Sequence, residues 1–328
     1  IFCRGRFWSW TSCDFLGHEL SRVHIDLVYN GVPAFDITLA QKRESKRRLQ
    51  QYCHNLLGYT PDYVFTHVTR MVLSKALWRD IRVMEHLEAM LRSAGKRAVL
   101  FVLSTSSPAG RRPEWVAAWE QQYGWPVGHR ADNGDLIGLE GAYFFDGVEP
   151  FNWISTQSNI VLVNQFGWSS ERCGRRMPAE MEFMDVRLGS DLEFGQSIYE
   201  PFGIAQVEPL SFGALCCVSS VCGCVGFATR AADGLENLPN LVVADYVDLP
   251  HGYWLGSPYD ALRIDAGVRN WIEGNNSAVA AQTIFERLPK NDGEAQLLLD
   301  RGQEIARLMS WEVVAEEYLL PGLRNAIR

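Results

Sequence analysis

Glu200 and Glu208 stand eight residues apart in the stretch YEPFGIAQVEPLSF, with Pro201-Phe202-Gly203 directly after the first carboxylate. Pro and Gly at that place predict a strand-to-helix turn, and residues 204–212 supply the short helix that such a turn starts. Glu200 then sits on the turn at the positive end of the helix, with Glu208 about two turns further along. Backbone N–H groups of Phe202, Gly203 and Ile204 would face the same crevice, which suits an anionic group. A second pair, Arg70 and Lys75, lies five residues apart in the loop leaving the apolar run YVFTHV. Both can cap phosphate oxygens, Arg through a bidentate fork and Lys as a point charge. Spacing alone also fits a turn carboxylate, a solvated helix residue and two surface cations, so the rest of the chain has to decide.

The elements that must position these residues read as a repeating strand-helix pattern. Residues 63–68 form a short buried strand, and the helix at 76–94 repeats Leu77, Ile81, Met84, Leu87 and Leu91 before stopping at Gly95. The apolar run 98–103 completes a β-α-β unit. A loop at 104–110, a helix at 111–122, a strand at 160–163, a helix at 179–188 and a strand at 192–196 follow. Glu200 thus falls at a strand's carboxyl end, where open α/β sheets bind their ligands. Further on come a strand ending at Cys217, a turn at 219–226, a strand at 241–244 and helices at 296–309 and 312–320 about Ser310-Trp311. The predicted fold class is α/β, a Rossmann-like parallel sheet flanked by helices. Two stretches rich in Gly, Pro and aromatics, near 106–159 and 228–285, read as insertions, and the basic run at 36–57 reads as an exposed linker helix.

The E-x7-E segment resembles that of the retaining, GT-B-fold glycosyltransferases of group 1, the class that includes glycogen synthases. In that family the first Glu and the amides after it hold the donor sugar and diphosphate, and the second Glu holds the ribose. Carried over, these roles fall on Glu200, Phe202, Gly203, Ile204 and Glu208. Arg70 and Lys75 match the spacing of the cations in the family's "GRL…KG" loop, which neutralise the departing diphosphate, although His67-Val68-Thr69 and Ala76 depart from its usual residues. Gln165, Phe166 and Gly167 stand where the family reads the nucleobase with backbone groups. The resemblance further implies that residues 58–328 are the C-terminal nucleotide-sugar-binding domain. Residues 1–35, ending in Asn30-Gly31-Val32, would be a remnant of the N-terminal acceptor domain, and the start at Ile1 implies an upstream segment.

The implied activity is hexosyl-type transfer from a nucleotide-diphosphate sugar to a hydroxyl acceptor with retention, without a bound metal or other cofactor. The alternative is a non-enzymatic nucleotide-sugar-binding or scaffold protein on the same fold. A net charge of −8 disfavours a nucleic-acid or anionic-membrane surface, and the long uncharged run 210–228 is broken by Gly and Ser. Eight cysteines in 328 residues do not make a disulfide framework. Adjacent Cys216 and Cys217 would point to opposite faces of a strand, which reads as buried small residues in a reducing, cytoplasmic compartment rather than a zinc site. His129, Asp132 and Asp135 have no diagnostic ligand spacing and read as loop residues.

Overall fold

The computed structural model describes residues 26–249 and 251–327, together with the strand β1 (Phe2–Cys3), which pairs in parallel with β2 (Asp26–Leu27). Arg4 and Arg6, and the first residues of the strand-like run before Tyr29, lie outside the described residues. The body of the molecule is a six-stranded sheet of β3 (Tyr63–Val68), β4 (Ala98–Leu103), β5 (Ser158–Val163), β6 (Leu192–Gly195), β7 (Leu215–Ser219) and β8 (Leu241–Ala244). Its order is β5-β4-β3-β6-β7-β8, and every pairing is parallel. The strands are apolar almost throughout because helices cover both faces. From β3 the chain winds outward through β4 and β5, then returns to lay β6 on the other side of β3. The switch point of this doubly wound sheet therefore falls between β3 and β6.

Six longer helices are labelled here α1 (Leu39–Leu57), α2 (Trp78–Ala94), α3 (Pro113–Tyr123), α4 (Gly223–Ala231), α5 (Ala266–Arg287) and α6 (Asp292–Leu308). On one face Phe65, Leu100, Leu162 and Phe194 pack against α2, α5 and the helix 139–154. On the other, Val64, Phe101 and Val161 meet Leu49 and Tyr52 of α1 and Trp119 of α3, while Cys216, Val218 and Leu241 meet α4 and α6. Strand alternation accordingly sends Cys216 and Cys217 into different cores.

Four regions differ from the sequence reading. The helix α1 is not an exposed linker: Leu49, Tyr52 and Cys53 sit at i, i+3 and i+4, so its apolar stripe lies on the sheet. Its start is fixed by a capping box between Thr38 and Gln41. The supposed insertion before β5 contains the helix 139–154, whose middle, Phe144–Val148, opens into a π turn. Gly141, Gly147 and Pro150 hide this helix from propensity, yet Phe144, Val148 and Phe151 bury one side of it. The segment read as a turn at 219–226 already enters α4, and α5 crosses the second supposed insertion and packs against α2 and β8.

At the C-terminus Ser310 caps the helix 311–327, which widens into a π turn at Ala315–Leu319, just before Pro321. Proline has no N–H to donate, so the ladder is adjusted ahead of it. Val314 and Tyr318 on this helix pack inward, while Leu308 and Trp311 beside them stay exposed. Val314 is buried, and the Tyr318 ring meets Tyr29 and Phe227 edge-on.

Candidate functional site

Two loops at the switch point build the site. After β3 the chain makes a single 3-10 turn, Leu73–Lys75, closed by Ala76 at φ 49°. That left-handed conformation is the one for which the resembled family supplies Gly. After β6 the chain runs through Gln196–Tyr199 into the Glu200-Pro201-Phe202-Gly203 turn. Gly203, at φ 88°, opens the short helix Ile204–Val207, and Pro209 then turns Glu208–Phe212 into a 3-10 segment. The two loops are joined by a hydrogen bond from Ile198 N–H to Ser74 O (2.8 Å) and by an ion pair between Lys75 Nζ and Glu200 Oε2, both side chains less than one fifth exposed. Behind the turn, Gly223 N–H donates to Glu200 O (3.1 Å) and Cys224 N–H to Phe202 O (2.8 Å), which ties it to the start of α4.

Two adjoining cavities open here. The larger, about 820 Å³, runs along the carboxyl ends of β3, β4 and β5 and is lined by Arg70, Lys75, Thr105, Gln165, Phe166 and Gly167 among others. The smaller, about 130 Å³, lies behind it, where Lys75, Glu200, Gly203 and Ile204 meet His67 and Glu193. The Arg70 side chain is exposed, and its guanidinium makes no hydrogen bond or ion pair among the described residues. Phe202 and Glu208 line neither cavity. The Phe202 ring is buried against Phe227 (centroids 6.1 Å apart), and the Glu208 carboxylate lies 3.6 Å from Arg187 Nη2. Gln165 is buried and its amide is already used: Oε1 accepts from Arg111 N–H (2.6 Å) and Nε2 donates to Arg111 O (3.0 Å). Any contact of the 165–167 loop to a ligand in the larger cavity therefore falls to its backbone and to Phe166, which is 61% exposed.

Three buried pairs that the sequence reading passed over hold these loops. Arg111 and Glu140 form an almost fully buried ion pair, and Glu140 Oε1 accepts from Ser106 N–H (2.7 Å) while Arg111 Nη1 donates to Thr105 Oγ1 (2.6 Å). That pair shapes the loop after β4. Arg187 pairs with Glu193 in the middle of β6; burial pushes the Glu193 carboxyl above its ordinary range, and Arg187 only partly offsets this. His67 pairs with Asp80 of α2 at 2.5 Å. The available signal was a charged or imidazole residue inside an apolar strand, His67 in YVFTHV and Glu193 in LEFG, because a parallel strand covered on both faces admits such a residue only with a partner.

His129 and Asp135 form a further buried pair at 3.0 Å, and Asp132 is exposed. Burial pushes Asp135 up, but hydrogen bonds from His129 and Asn164 win and hold it below its ordinary range. Among the described residues no group of three or more His, Cys, Asp or Glu is arranged to hold a metal ion.

A doubly wound parallel sheet whose crevice opens at the switch point defines a Rossmann-like α/β protein. In its particular arrangement the fold is that of the GT-B glycosyltransferases. The chain is similar to sucrose-phosphate synthase from Thermosynechococcus elongatus, at 15% identity and TM-score 0.54, over 99% of this chain and 57% of that one. It is likewise similar to a UDP-forming trehalose-phosphate synthase from Burkholderia xenovorans, at 12% identity and TM-score 0.55, over 100% and 61% of the two chains. The corresponding protein from Burkholderia vietnamiensis gives 12% identity and TM-score 0.54, over 99% and 60%. At such identities the likeness is one of fold, and this chain spans about three fifths of the length of each. No protein-family model and no curated protein sequence matches it.

Proposed function

We propose that the chain binds a nucleotide-diphosphate sugar across the two cavities and supplies the donor site of a retaining glycosyltransferase that acts on a hydroxyl acceptor. The observation that carries this reading is the meeting of Lys75 and Glu200, which lie 125 residues apart in sequence, on two loops at the sheet's switch point. Arg70 and Lys75 would neutralise charge growing on the departing diphosphate, the form of electrostatic stabilisation such a step needs. Glu200 would orient the sugar, with the amides of Gly203 and Ile204 facing it. The loop Gln165-Phe166-Gly167 would meet the base at the far end of the larger cavity. Glu208 is assigned to the ribose on the resemblance. The reading invokes no cofactor.

The acceptor, and an acceptor-binding domain to present it, belong to the same proposal, as does a cytoplasmic setting. Cys53, Cys173, Cys216, Cys217, Cys222 and Cys224, all free and buried, support the latter.

The test is calorimetric titration with UDP-, ADP- and GDP-glucose of the wild-type chain, Lys75→Ala and Glu208→Ala. Saturable binding to one donor, weakened about 10- to 100-fold in Lys75→Ala, is the expected result, since a charge-assisted hydrogen bond is lost. A weakening of about tenfold is expected in Glu208→Ala. A folded chain that binds none of the donors would overturn the reading. Binding without sugar transfer when acceptors are supplied would leave a nucleotide-sugar-binding protein.

A further inference from the structure

Lys75 lines both cavities of the site, whereas Arg70 lines the larger and Glu200 the smaller. The Lys75 ammonium thus stands between the Glu200 carboxylate, with which it is paired, and the open space beside Arg70. While the two are paired, the carboxylate cancels most of the field that the ammonium would present to an anion. Among the described residues the Glu200 carboxylate has no other ion-pair partner and accepts no other hydrogen bond. Lys75 is all that satisfies it.

The backbone around the pair is held in place. Ile198 N–H donates to Ser74 O at 2.8 Å, and Arg79 Nη1, in the first turn of α2, donates to Gln196 O at 3.0 Å and Ser197 O at 3.2 Å. Asp80, next to it, accepts from Gln196 Nε2 at 2.9 Å. Both loops are therefore fastened to one another and to one helix, and parting Lys75 from Glu200 is left to the side chains. The flexible four-carbon stem of lysine allows that movement.

A ligand that offers only a diphosphate draws Lys75 away and leaves Glu200 without a partner, less than one fifth exposed. Taking one member from such a pair is costly, because the charge left behind keeps its desolvation. A sugar joined to the diphosphate carries hydroxyl donors that take the place of the ammonium on the carboxylate. We infer that Glu200 holds Lys75 until a sugar's hydroxyls replace it, so that the site takes a nucleotide-diphosphate sugar in preference to the bare diphosphate that transfer leaves behind. Once the sugar has gone the exchange runs backwards: the carboxylate recaptures the ammonium, and the diphosphate is released. The inference rests on the donor reading above and adds to it a means of telling donor from product.

The experiment measures the dissociation constants of UDP, ADP and GDP and of their glucose, galactose and mannose conjugates. The proteins are wild type, Glu200→Gln, Lys75→Ala and the double variant. Glutamine keeps a side-chain oxygen for a hydroxyl and removes the charge that holds Lys75. In the wild type at least one sugar conjugate binds more tightly than its bare diphosphate. Glu200→Gln binds that bare diphosphate about tenfold more tightly than wild type does, since the lysine is free to meet it. Removing a negative charge also favours an anion through space, and the double-mutant cycle separates the two effects. In the Lys75→Ala background the gain from Glu200→Gln falls to about twofold or less. Glu200→Ala frees the lysine in the same way and serves if Glu200→Gln does not fold.

A bare diphosphate that binds folded Glu200→Gln no more tightly than wild type overturns the inference, and so does an equal gain with and without Lys75. Either result leaves the donor reading standing. A wild type that binds every sugar conjugate no more tightly than its diphosphate overturns the inference as well. Absence of binding by every diphosphate and conjugate removes the donor reading, and the inference with it.

Discussion

Lys42 shows how one charged side chain is accommodated in this core. It lies on the buried stripe of α1, with Nζ donating to Ser190 O at 2.6 Å, and burial lowers its pKa to about 8, the nearby Asp191 charge offsetting only part. In the unfolded chain a lysine titrates near 10.4. Below pH 8 both states hold the proton, and between about 8 and about 10.4 the unfolded state holds more. The contribution of Lys42 to stability therefore rises with pH through that window, by about 3 kcal/mol. Buried thiols work in the opposite sense: burial raises Cys222 to about 11, so its contribution is lost as pH rises. The comparison is thus made by difference, with urea unfolding of wild type and Lys42→Met at pH 7.5 and pH 10. The gap should shift in favour of wild type at the higher pH; a gap that does not move would show that Lys42 keeps an ordinary pKa.

The turn after β6 depends on how close two elements come. A Cβ built on Gly223, at the start of α4, falls 2.0 Å from Pro201 O and 2.9 Å from Pro201 C. Backbone atoms cannot swing away as a side chain can, so Gly223→Ala must push the Glu200–Phe202 turn out of place. The expected cost is about 1–3 kcal/mol of stability, together with a loss of affinity for any nucleotide sugar that the proposed titration identifies. Gly226, on the same helix, has nothing within 4 Å of its Cβ position. Gly226→Ala should therefore be neutral or stabilise by up to about 1 kcal/mol. Thermal melts and calorimetry on the two variants check both claims, and equal behaviour would show that the close approach does not govern the turn.

Across the whole molecule, the segment 29–32 is clasped to the last helix. The Tyr29 ring stacks on Phe227 of α4 with centroids 4.1 Å apart and meets Tyr318 of the last helix at 5.2 Å, edge to face. Val32 forms a bridge with Ser310, and a Cβ on Gly31 would lie 2.5 Å from the Trp311 backbone. Removing the ring by Tyr29→Ala should cost about 3–5 kcal/mol, as for other large buried aromatics. Amide hydrogen exchange in 311–327 should speed up, while β3 and β6 keep their protection. Uniform acceleration across the sheet would instead mean that the clasp is part of a single cooperative unit.

Much of this was legible beforehand, and for a physical reason. Strands buried on both faces must be apolar, so β3 and β4 were predicted with their observed ends, and the Gly and Pro of the 200–203 turn marked where β6 gives way to a helix. Lys75 and Glu200 were singled out by residue type and spacing together with the family resemblance, and their side chains meet in an ion pair. Local pattern could not show the helix 139–154 or α5, because Gly, Pro and polar residues weaken their propensity and packing against α2 and the sheet overrides it. Nor could it show that the Gln165 amide is consumed by Arg111 or that Phe202 faces the core. By itself the sequence determined which segments are strands and which residues can bear phosphate chemistry, since those depend on neighbours in the chain. Only the tertiary structure decided which of these side chains face the crevice and which are used up in holding it, since hydrogen-bond partners come from segments more than a hundred residues away.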